Sequence, residues 1–333
     1  AAYDYLFFKQ GSEENAQYYT VKSTSTRSVA FFGTATYSYQ RRYMLSGTVR
    51  YEGTNKLGRS TSARWLPTWN ISGAWNAHEE KFCQTLEPTL SNFTFKASYL
   101  LTADRGPADV SNSLVIIQSY NPWRPFTNVK ESGLLLKDVE NSALTYEKKH
   151  ELNIGAEIGF IDNRINFAID WYKRDNYDLI GLVNSAGTGV KITKFANVAS
   201  MKSHGVELTL STKNIRTKDF SWNTDFIFSH AKNEVTDLQS NARVIEMITG
   251  TGFTMAGYPV RSLFYIDFQG LNEYGLPTFI NENGELTVSG LNFQKTMKKA
   301  HLVYEEPTDP TITGSFDNTF RYKGFNLNLS ITY

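Results

Sequence analysis

Alternating apolar and polar residues form the most frequent pattern in this chain. The stretch ELNIGAEIGF, residues 151–160, has an apolar side that includes Leu152 and Ile154 and a polar side that includes Asn153. A period of two residues is typical of a β-strand whose two faces meet different surroundings. The pattern recurs in at least ten segments and is clearest in FNLNLSITY, residues 325–333. The sequence therefore predicts an all-β protein of antiparallel strands, each about nine to twelve residues long.

The connections between the predicted strands alternate between short and long. Since successive connections of an antiparallel sheet lie at opposite ends of the strands, all the long loops fall at one end. Outer-membrane β-barrels have this arrangement, with short periplasmic turns and long extracellular loops. A connection of medium length at 78–91 is expected to contain a short periplasmic helix. Short connections are expected at 40–42, 161–164, 214–219 and 323–324, and long ones at 52–64, 102–148, 176–201 and 235–310.

Charged residues distinguish the two sides of the predicted strands. The apolar sides carry essentially none, and one of them presents Trp65, Trp69 and Trp75, which suits a membrane interface. A charge that faces lipid costs about 2 to 4 kcal/mol near the midplane, whereas a charge that faces a water-filled lumen stays hydrated. These features favour a transmembrane β-barrel over the alternative, a soluble β-sandwich with the same alternation. The predicted lumen-facing residues are Glu151, Glu157, Asp170, Glu207 and Asp225.

Composition excludes several classes of protein. Lys plus Arg number 34 and Asp plus Glu number 33, so the chain has no basic footprint for nucleic acid. No apolar run reaches the roughly 18 residues of a transmembrane helix. Cys83 is the only cysteine, which excludes intrachain disulfides. The start, AAYDYLFFKQ, has no signal-peptide pattern, so we expect a protein that is not exported, or a mature chain or a piece of one.

Catalytic and metal-binding residues do not stand out in the sequence. The five histidines have no metal-ligand spacing, and no Ser/His/Asp constellation is evident. We therefore expect no catalytic site, no metal site and no cofactor, and we expect that the protein is not an enzyme.

Several segments resemble the barrel of SusC/RagA-type TonB-dependent outer-membrane transporters. SVAFFGTATYSYQRRYMLSGTVRYEGTNKLGRS, residues 28–60, has that family's aromatic-Phe-Gly strand, Tyr-x-Tyr, basic turn and second strand in the same order. WLPTWNISGAWNAHEEKF, residues 65–82, is similar to the family's tryptophan strand. NVASMKSHGVELTLS, residues 197–211, and DPTITGSFDNTFRYKGFNLNLSITY, residues 309–333, continue the resemblance. Eight such segments follow the family's order.

The resemblance implies that residues 1–333 are an internal part of one barrel domain in a longer transporter. It covers no plug domain, no TonB box and no last strands, so about 10 to 12 strands of a probable 22-stranded barrel would be present. The strand edges near Tyr3 and Tyr333 would then need partners from other parts of that barrel.

The resemblance also implies a function and a set of partners. The intact protein would actively import a large nutrient, an oligosaccharide or an oligopeptide, across a bacterial outer membrane. TonB would act through the plug, a SusD-like surface lipoprotein would form a lid, and outer-membrane lipid and lipopolysaccharide would surround the barrel. A passive porin or a structural outer-membrane barrel is the alternative.

Two long loops contain candidate ligand-binding residues. The stretch QSYNPWRPF, residues 118–126, offers aromatic rings that stack on sugars or line a peptide groove, and an arginine that donates hydrogen bonds. The alternative is that these rings pack the loop against its neighbours or against the lid protein. The loop 235–310 offers a second group within a common element of the family. The candidates are Tyr120, Trp123, Arg124, Phe126, Arg261 and Tyr265.

Overall fold

The computed structural model describes residues 25–86, 89–107, 115–120, 133–138, 140–185, 192–239, 244–248, 250–281, 283–288 and 298–333. The strands are β1 (Ser28–Tyr39), β2 (Tyr43–Thr54), β3 (Trp65–Asn76), β4 (Leu90–Asp104), β5 (Ile116–Tyr120), β6 (Gly133–Asp138), β7 (Glu147–Phe160), β8 (Ile165–Ser185), β9 (Ile192–Arg216), β10 (Phe220–Leu238), β11 (Ser262–Ile266), β12 (Phe268–Leu271), β13 (Pro277–Ile280), β14 (Leu286–Thr287), β15 (Leu302–Pro307), β16 (Ile312–Tyr322) and β17 (Phe325–Thr332). Short helices are Thr61–Arg64, Ala77–Glu79, Lys81–Gln84, Val244–Met247 and Lys299–His301. No helix among the described residues is long and apolar enough to cross a membrane.

Ten of these strands form one large sheet in the order β1-β2-β3-β4-β7-β8-β9-β10-β16-β17. Every neighbouring pair is antiparallel, which confirms the predicted fold class and strand number. Among the described strands, β1 and β17 are the two edges of this sheet; β17 ends next to Tyr333 as predicted, and Tyr3 lies outside the described residues. The other strands form three small sheets within the long connections, namely β5-β6, β11-β15 and β12-β13-β14.

Short and long connections alternate along the sheet as expected. Tight turns join β1 to β2, β7 to β8, β9 to β10 and β16 to β17 at one end of the strands. Several turn residues have positive φ, including Gln40 at 49° and Asn163 at 54°. The predicted helix between β3 and β4 is present as Ala77–Glu79 and Lys81–Gln84. We name the opposite end, where the long connections lie, the long-loop end.

The predicted long loop at 176–201 is wrong. Strand β8 continues to Ser185 and β9 begins at Ile192, so these two strands have 21 and 25 residues instead of nine to twelve. Their register shifts between Asn176 and Leu179, and Asp178 has a φ of 57°. A β-bulge exchanges the faces of the residues that follow it, which interrupts the period of two and makes paired strand resemble loop in the sequence.

Register aligns the alternating residues into two continuous faces. The apolar face carries Leu152 and Ile154, and the polar face carries Glu151 and Asn153. Because the register between neighbouring strands has no shift in this region, apolar residues pair with apolar residues and form rows across the sheet. One row across seven strands is Phe93, Ile158, Phe167, Leu210, Phe226, Phe316 and Ile331.

The apolar face is not covered by any other described part of the chain. Leu45 is 57% exposed, Ile71 is 55% exposed and Ile331 is 63% exposed. In a soluble sandwich these side chains would pack against a second sheet. Among the described residues no second sheet packs on this one, so its apolar face requires an apolar environment from elsewhere.

A small buried cluster lies in the connections at the long-loop end. Leu57, Leu144 and Tyr146 are its most buried members. The Gly58 N–H donates to the Leu144 carbonyl at 2.8 Å, and a Cβ atom on Gly58 would lie 2.1 Å from the carbonyl oxygen of Ser142. Only glycine permits this close approach of two backbones. The cluster joins the connection after β2 to the connection before β7.

Candidate functional site

All five residues predicted to face the lumen lie on the polar face of the sheet. Asp170 is directly opposite Glu207 in the register of β8 and β9, and Asp225 is directly opposite Asp317 in the register of β10 and β16. Glu151 and Glu157 lie on β7, on the same side as these residues. Their contact with a lumen remains a prediction because the ten strands alone do not enclose one.

Ion pairs hold part of this polar face together. The Lys96 ammonium lies 2.8 Å from Glu157 and 3.5 Å from Asp170. Glu151 is only 8% exposed and is paired with Arg174 at 3.0 Å and with a neighbouring lysine at 2.8 Å. The Arg174 guanidinium also lies 3.9 Å from the centre of the Tyr172 ring. Buried carboxylates on this face are thus partnered, as burial of a charge requires.

Further carboxylates occupy mid-strand positions on the polar face of β9, β10 and β16. Glu207 is exposed and makes no ion pair with any described residue. The Ser211 hydroxyl donates to Asp225 at 2.6 Å, and the Ser315 hydroxyl donates to Asp317 at 2.8 Å. Like charges placed opposite each other in a sheet are tolerated where water solvates them. This distribution fits a wet surface.

A row of small polar residues makes a depression in the polar face. Thr36, Ser46, Ser72 and Ser98 are successive register partners on β1 to β4. Small side chains leave space above the sheet, and the depression has a volume of about 460 Å³. Its far wall is formed by Lys96 and Asp170.

A second cavity lies at the long-loop end of the polar face, and we name it the mouth cavity. Arg50 and Arg105 both contact the carboxylate of Glu52, and Tyr146 closes one side. The volume is about 420 Å³, which suits one residue or sugar ring of a longer ligand. The Tyr146 side chain is buried, which raises its pKa, and its hydroxyl donates to the Glu52 backbone carbonyl at 3.5 Å.

Sequence reasoning missed the mouth cavity. Arg50 and Glu52 are two residues apart on β2 and therefore share a face, which is a signal that was available. Arg105 comes from the end of β4, two strands away, and only the sheet order brings it to Glu52.

The predicted ligand-binding residues lie in the long connections. Trp123, Arg124 and Phe126 lie outside the described residues, and for Tyr120 only the backbone position, at the end of β5, is described. The loop from β10 to β16 contains the remaining two candidates.

The two candidates of the loop from β10 to β16 have different surroundings. Arg261 forms an ion pair with Asp309, with Nε 3.1 Å from a carboxylate oxygen. Tyr265 lies on β11 and is 37% exposed. Partial burial, together with the Glu305 carboxylate, raises the pKa of Tyr265. Arg261 therefore anchors its loop, and Tyr265 interacts with Glu305 while part of its side chain stays exposed; contact of either residue with a ligand stays a prediction.

Within the ranges that the structure describes, no group of three or more His, Cys, Asp or Glu side chains is placed to hold a metal ion.

Comparison with known sequences gives one family and several relatives. The family model described as TonB dependent receptor-like, beta-barrel, matches residues 2–333. TonB-dependent receptor SusC of Bacteroides thetaiotaomicron is 26% identical over 330 residues, which cover 94% of this chain and 31% of the relative. TonB-dependent receptor P3 of Formosa agariphila is 25% identical over 322 residues, which cover 91% of this chain and 31% of the relative. The chain thus spans about a third of the length of these curated relatives.

Solved structures show the same architecture. The RagAB peptide transporter matches with a TM-score of 0.77 at 22% identity, over 92% of this chain and 33% of the matched chain. The RagAB peptide importer in its open-open state matches with a TM-score of 0.76, over 96% of this chain and 34% of the matched chain. These similarities confirm the resemblance seen in the sequence, and the apolar face is accordingly the lipid-facing side of a barrel wall. The chain belongs to the β-barrel family of TonB-dependent receptors, proteins of the bacterial outer membrane.

Proposed function

We propose that the intact protein imports a large nutrient, an oligosaccharide or an oligopeptide, in a TonB-dependent manner. A SusD-like lipoprotein would cover the long loops, and TonB would act on a plug domain inside the barrel. The observation that carries this proposal is the polar face, which runs the length of the sheet and ends in a mouth cavity beneath long loops. A wide barrel with such a wall has a lumen that needs a plug and admits a large cargo.

Relatives support the kind of function proposed. The SusC relative is a TonB-dependent receptor by name, and the RagAB structures are of a peptide transporter. The mouth cavity presents two guanidinium groups and one carboxylate, which hydrogen-bond either sugar hydroxyls or peptide groups.

Uptake by cells that carry the complete gene tests the proposal. Cells would be given labelled oligosaccharides and oligopeptides of graded length, with and without functional TonB. We expect saturable uptake of one of the two classes, lost when TonB is absent. Uptake that continues without TonB and does not saturate would favour the passive porin instead.

Substitutions test which residues contact the cargo. We expect Trp123→Ala and Tyr265→Ala each to weaken cargo binding about ten-fold, since each removes one aromatic contact. The matched control is Tyr274→Ala, which removes an exposed ring from the turn between β12 and β13. Binding to the purified complete protein would be measured by calorimetry. Equal losses in all three variants would contradict a specific role for the predicted residues.

A further inference from the structure

The two cavities of the polar face lie in line along the same strands. On β3, the mouth cavity is lined by Thr68 and the depression by Ser72. These two residues lie on one face because they are four residues apart, a distance of about 13 Å along a strand. Strands β2 and β4 also contribute residues to both cavities. The cavities are therefore parts of one continuous surface that runs from the long-loop end toward the tight turns.

Small neutral side chains cover this surface. The row of small polar residues from Thr36 to Ser98 forms the depression, which has a volume of about 460 Å³. A second register row, made of Thr34, Thr48 and Asn70, joins the depression to the mouth cavity. We name the polar face of β1 to β4, between the mouth cavity and the tight turns, the smooth track.

Lys96 is the one charged strand residue of the smooth track among those that the structure describes. Its ammonium group is directed away from the track, because its partners Glu157 and Asp170 lie on β7 and β8. The contact with Asp170 crosses β7 above Gly155, where a Cβ atom would clash with the Asp170 carboxylate and lie 2.8 Å from the Lys96 side chain. The ion pair thus forms the boundary of the track and leaves its surface free of charge.

Beyond that boundary, the polar face of β7 to β10 and β16 carries many charges, and we name it the charged wall. One register row crosses both surfaces, from Ala74 on β3 through Lys96 to Asp170 on β8 and Glu207 on β9. The row is therefore neutral on the smooth track and ionic on the charged wall. Further carboxylates of the charged wall are Glu157, Asp225 and Asp317.

A surface along which a solute moves must bind it weakly and at many points, since a solute that is held tightly at one point does not leave. Hydroxyl groups both donate and accept, so a row of them exchanges hydrogen bonds with sugar hydroxyls or peptide groups as these move past. Hydrogen bonds to charged groups are roughly twice as strong as those between neutral groups. The smooth track therefore suits movement of a large polar solute, whereas the charged wall suits a lasting contact.

We propose that cargo crosses the barrel along the smooth track, entering at the mouth cavity and passing over the depression. The alignment of the two cavities, the neutral rows between them and the contrast with the charged wall carry this inference. It rests on the proposed import function and adds to it the side of the lumen that opens. The plug domain would separate from β1 to β4 and keep its contact with the charged wall.

Tryptophan substitutions in the complete transporter test the proposal. Ser72→Trp fills the depression, and the matched control Thr209→Trp places the same ring at an exposed position of the charged wall. Cells would be given the labelled oligosaccharides and oligopeptides, and uptake would be divided by the amount of each variant in the outer membrane. We expect the initial rate to fall at least about ten-fold in Ser72→Trp and less than about two-fold in Thr209→Trp, since a bulky ring narrows a passage only where the passage lies.

Thiol labelling provides a second measurement that does not depend on folding of the tryptophan variants. Ser72→Cys and Thr209→Cys change few atoms, and Cys83 is buried, so the unsubstituted protein gives the background. Cells would be treated with a hydrophilic maleimide during uptake, with and without functional TonB. We expect Ser72→Cys to react at least about five-fold faster when TonB is functional, because accessibility controls thiol reactivity, and Thr209→Cys to show no such dependence.

The outcomes separate this proposal from the import function. Equal losses of uptake in the two tryptophan variants would overturn the passage along the smooth track, and so would full uptake by Ser72→Trp or TonB-dependent labelling at Thr209 alone. Uptake by the unsubstituted protein that does not require TonB would contradict active import instead. In that case the two tryptophan variants would still show which side of the lumen the cargo follows.

Discussion

The two faces of the same ten strands are stabilised in different ways. On the lipid-facing side, rows of Phe, Leu and Ile side chains meet across the strands, and ion pairs are absent among its described mid-strand residues. On the polar face, carboxylates such as Glu151 and Glu157 are paired with lysine or arginine. Adjacent residues of one strand therefore belong to environments of opposite polarity.

This difference shows that sequence neighbours on a barrel strand do not tolerate the same substitutions. A charge on the lipid-facing side must be moved out of hydrocarbon, whereas a charge on the polar face finds water or an opposite charge. The contrast is sharpest where a pair of adjacent residues can be changed in the same way.

Leu208 and Thr209 on β9 provide such a pair. Leu208 lies between Ile169 and Phe228 on the lipid-facing side. We expect Leu208→Arg to lower the free energy of unfolding by about 2 to 4 kcal/mol, since the charge would lie near the midplane. Urea unfolding of the complete protein in lipid vesicles, followed by tryptophan fluorescence, measures this change.

Thr209→Arg is the control for that experiment. Thr209 is exposed on the polar face, between Ala168 and Ile227, and acidic residues lie nearby. We expect its free energy of unfolding to change by less than about 0.5 kcal/mol. Similar costs for both substitutions would mean that the two sides have been assigned wrongly.

Arg174→Gln tests the ion pairs of the polar face. The substitution leaves the nearly buried Glu151 with Lys149 as its remaining partner and removes the contact with the Tyr172 ring. We expect a loss of about 1 to 3 kcal/mol of stability, measured by the same urea unfolding.

Two further variants serve as controls for Arg174→Gln. Lys96→Gln removes an ammonium that pairs with Glu157 and Asp170, and because all three side chains are partly exposed we expect it to cost less than about 1 kcal/mol. The double variant Glu151→Gln/Arg174→Gln should recover part of the loss, because it no longer buries a carboxylate that has lost one of its two cationic partners. A double variant as unstable as the sum of both single variants would show that the two residues act independently.

Local pattern was enough to predict the sheet and its faces. The alternation of Glu151 and Leu152 along one strand, and the Asp162-Asn163 turn that follows, depend only on neighbouring residues. The extension of β8 and β9 was missed because the bulge near Asp178 interrupts the alternation.

The candidate site was harder to predict than the fold. Arg50 and Glu52 lie on β2, and Arg105 follows the end of β4, with β3 between the two strands in the sheet. Arg105 reaches Glu52 only because of this strand order and the length of β4, and neither can be read from a local sequence pattern. Contacts between distant segments are therefore the information that a single sequence contains least directly.

At the tight-turn end of the lipid-facing side, two aromatic residues form hydrogen bonds with one carboxylate. The Tyr43 hydroxyl donates to the Glu80 carboxylate at 2.6 Å, the Trp75 indole N–H donates to it at 3.4 Å, and Arg42 lies 3.4 Å away. Tyrosine and tryptophan at a membrane interface keep their rings in the apolar layer and their polar atoms at its edge. Here Glu80, in the connection after β3, accepts the hydrogen bonds that those polar atoms donate.

Glu80→Gln is expected to have the smallest effect, and that effect should depend on pH. The hydrogen bond from Tyr43, with help from Trp75 and Arg42, lowers the pKa of Glu80. A carboxyl group with a lowered pKa in the folded state adds stability above its ordinary pKa of about 4.3, and this stability is lost as the pH falls through the folded-state value. The unsubstituted protein should therefore unfold at a higher temperature than Glu80→Gln at pH 7, and the gap should close below about pH 4. The control is Glu79→Gln, which changes the neighbouring carboxylate and should show no such closing gap. A constant difference in unfolding temperature between Glu80→Gln and the unsubstituted protein at all pH values would contradict the prediction. It would mean that the Glu80 charge does not hold the aromatic residues at the membrane edge.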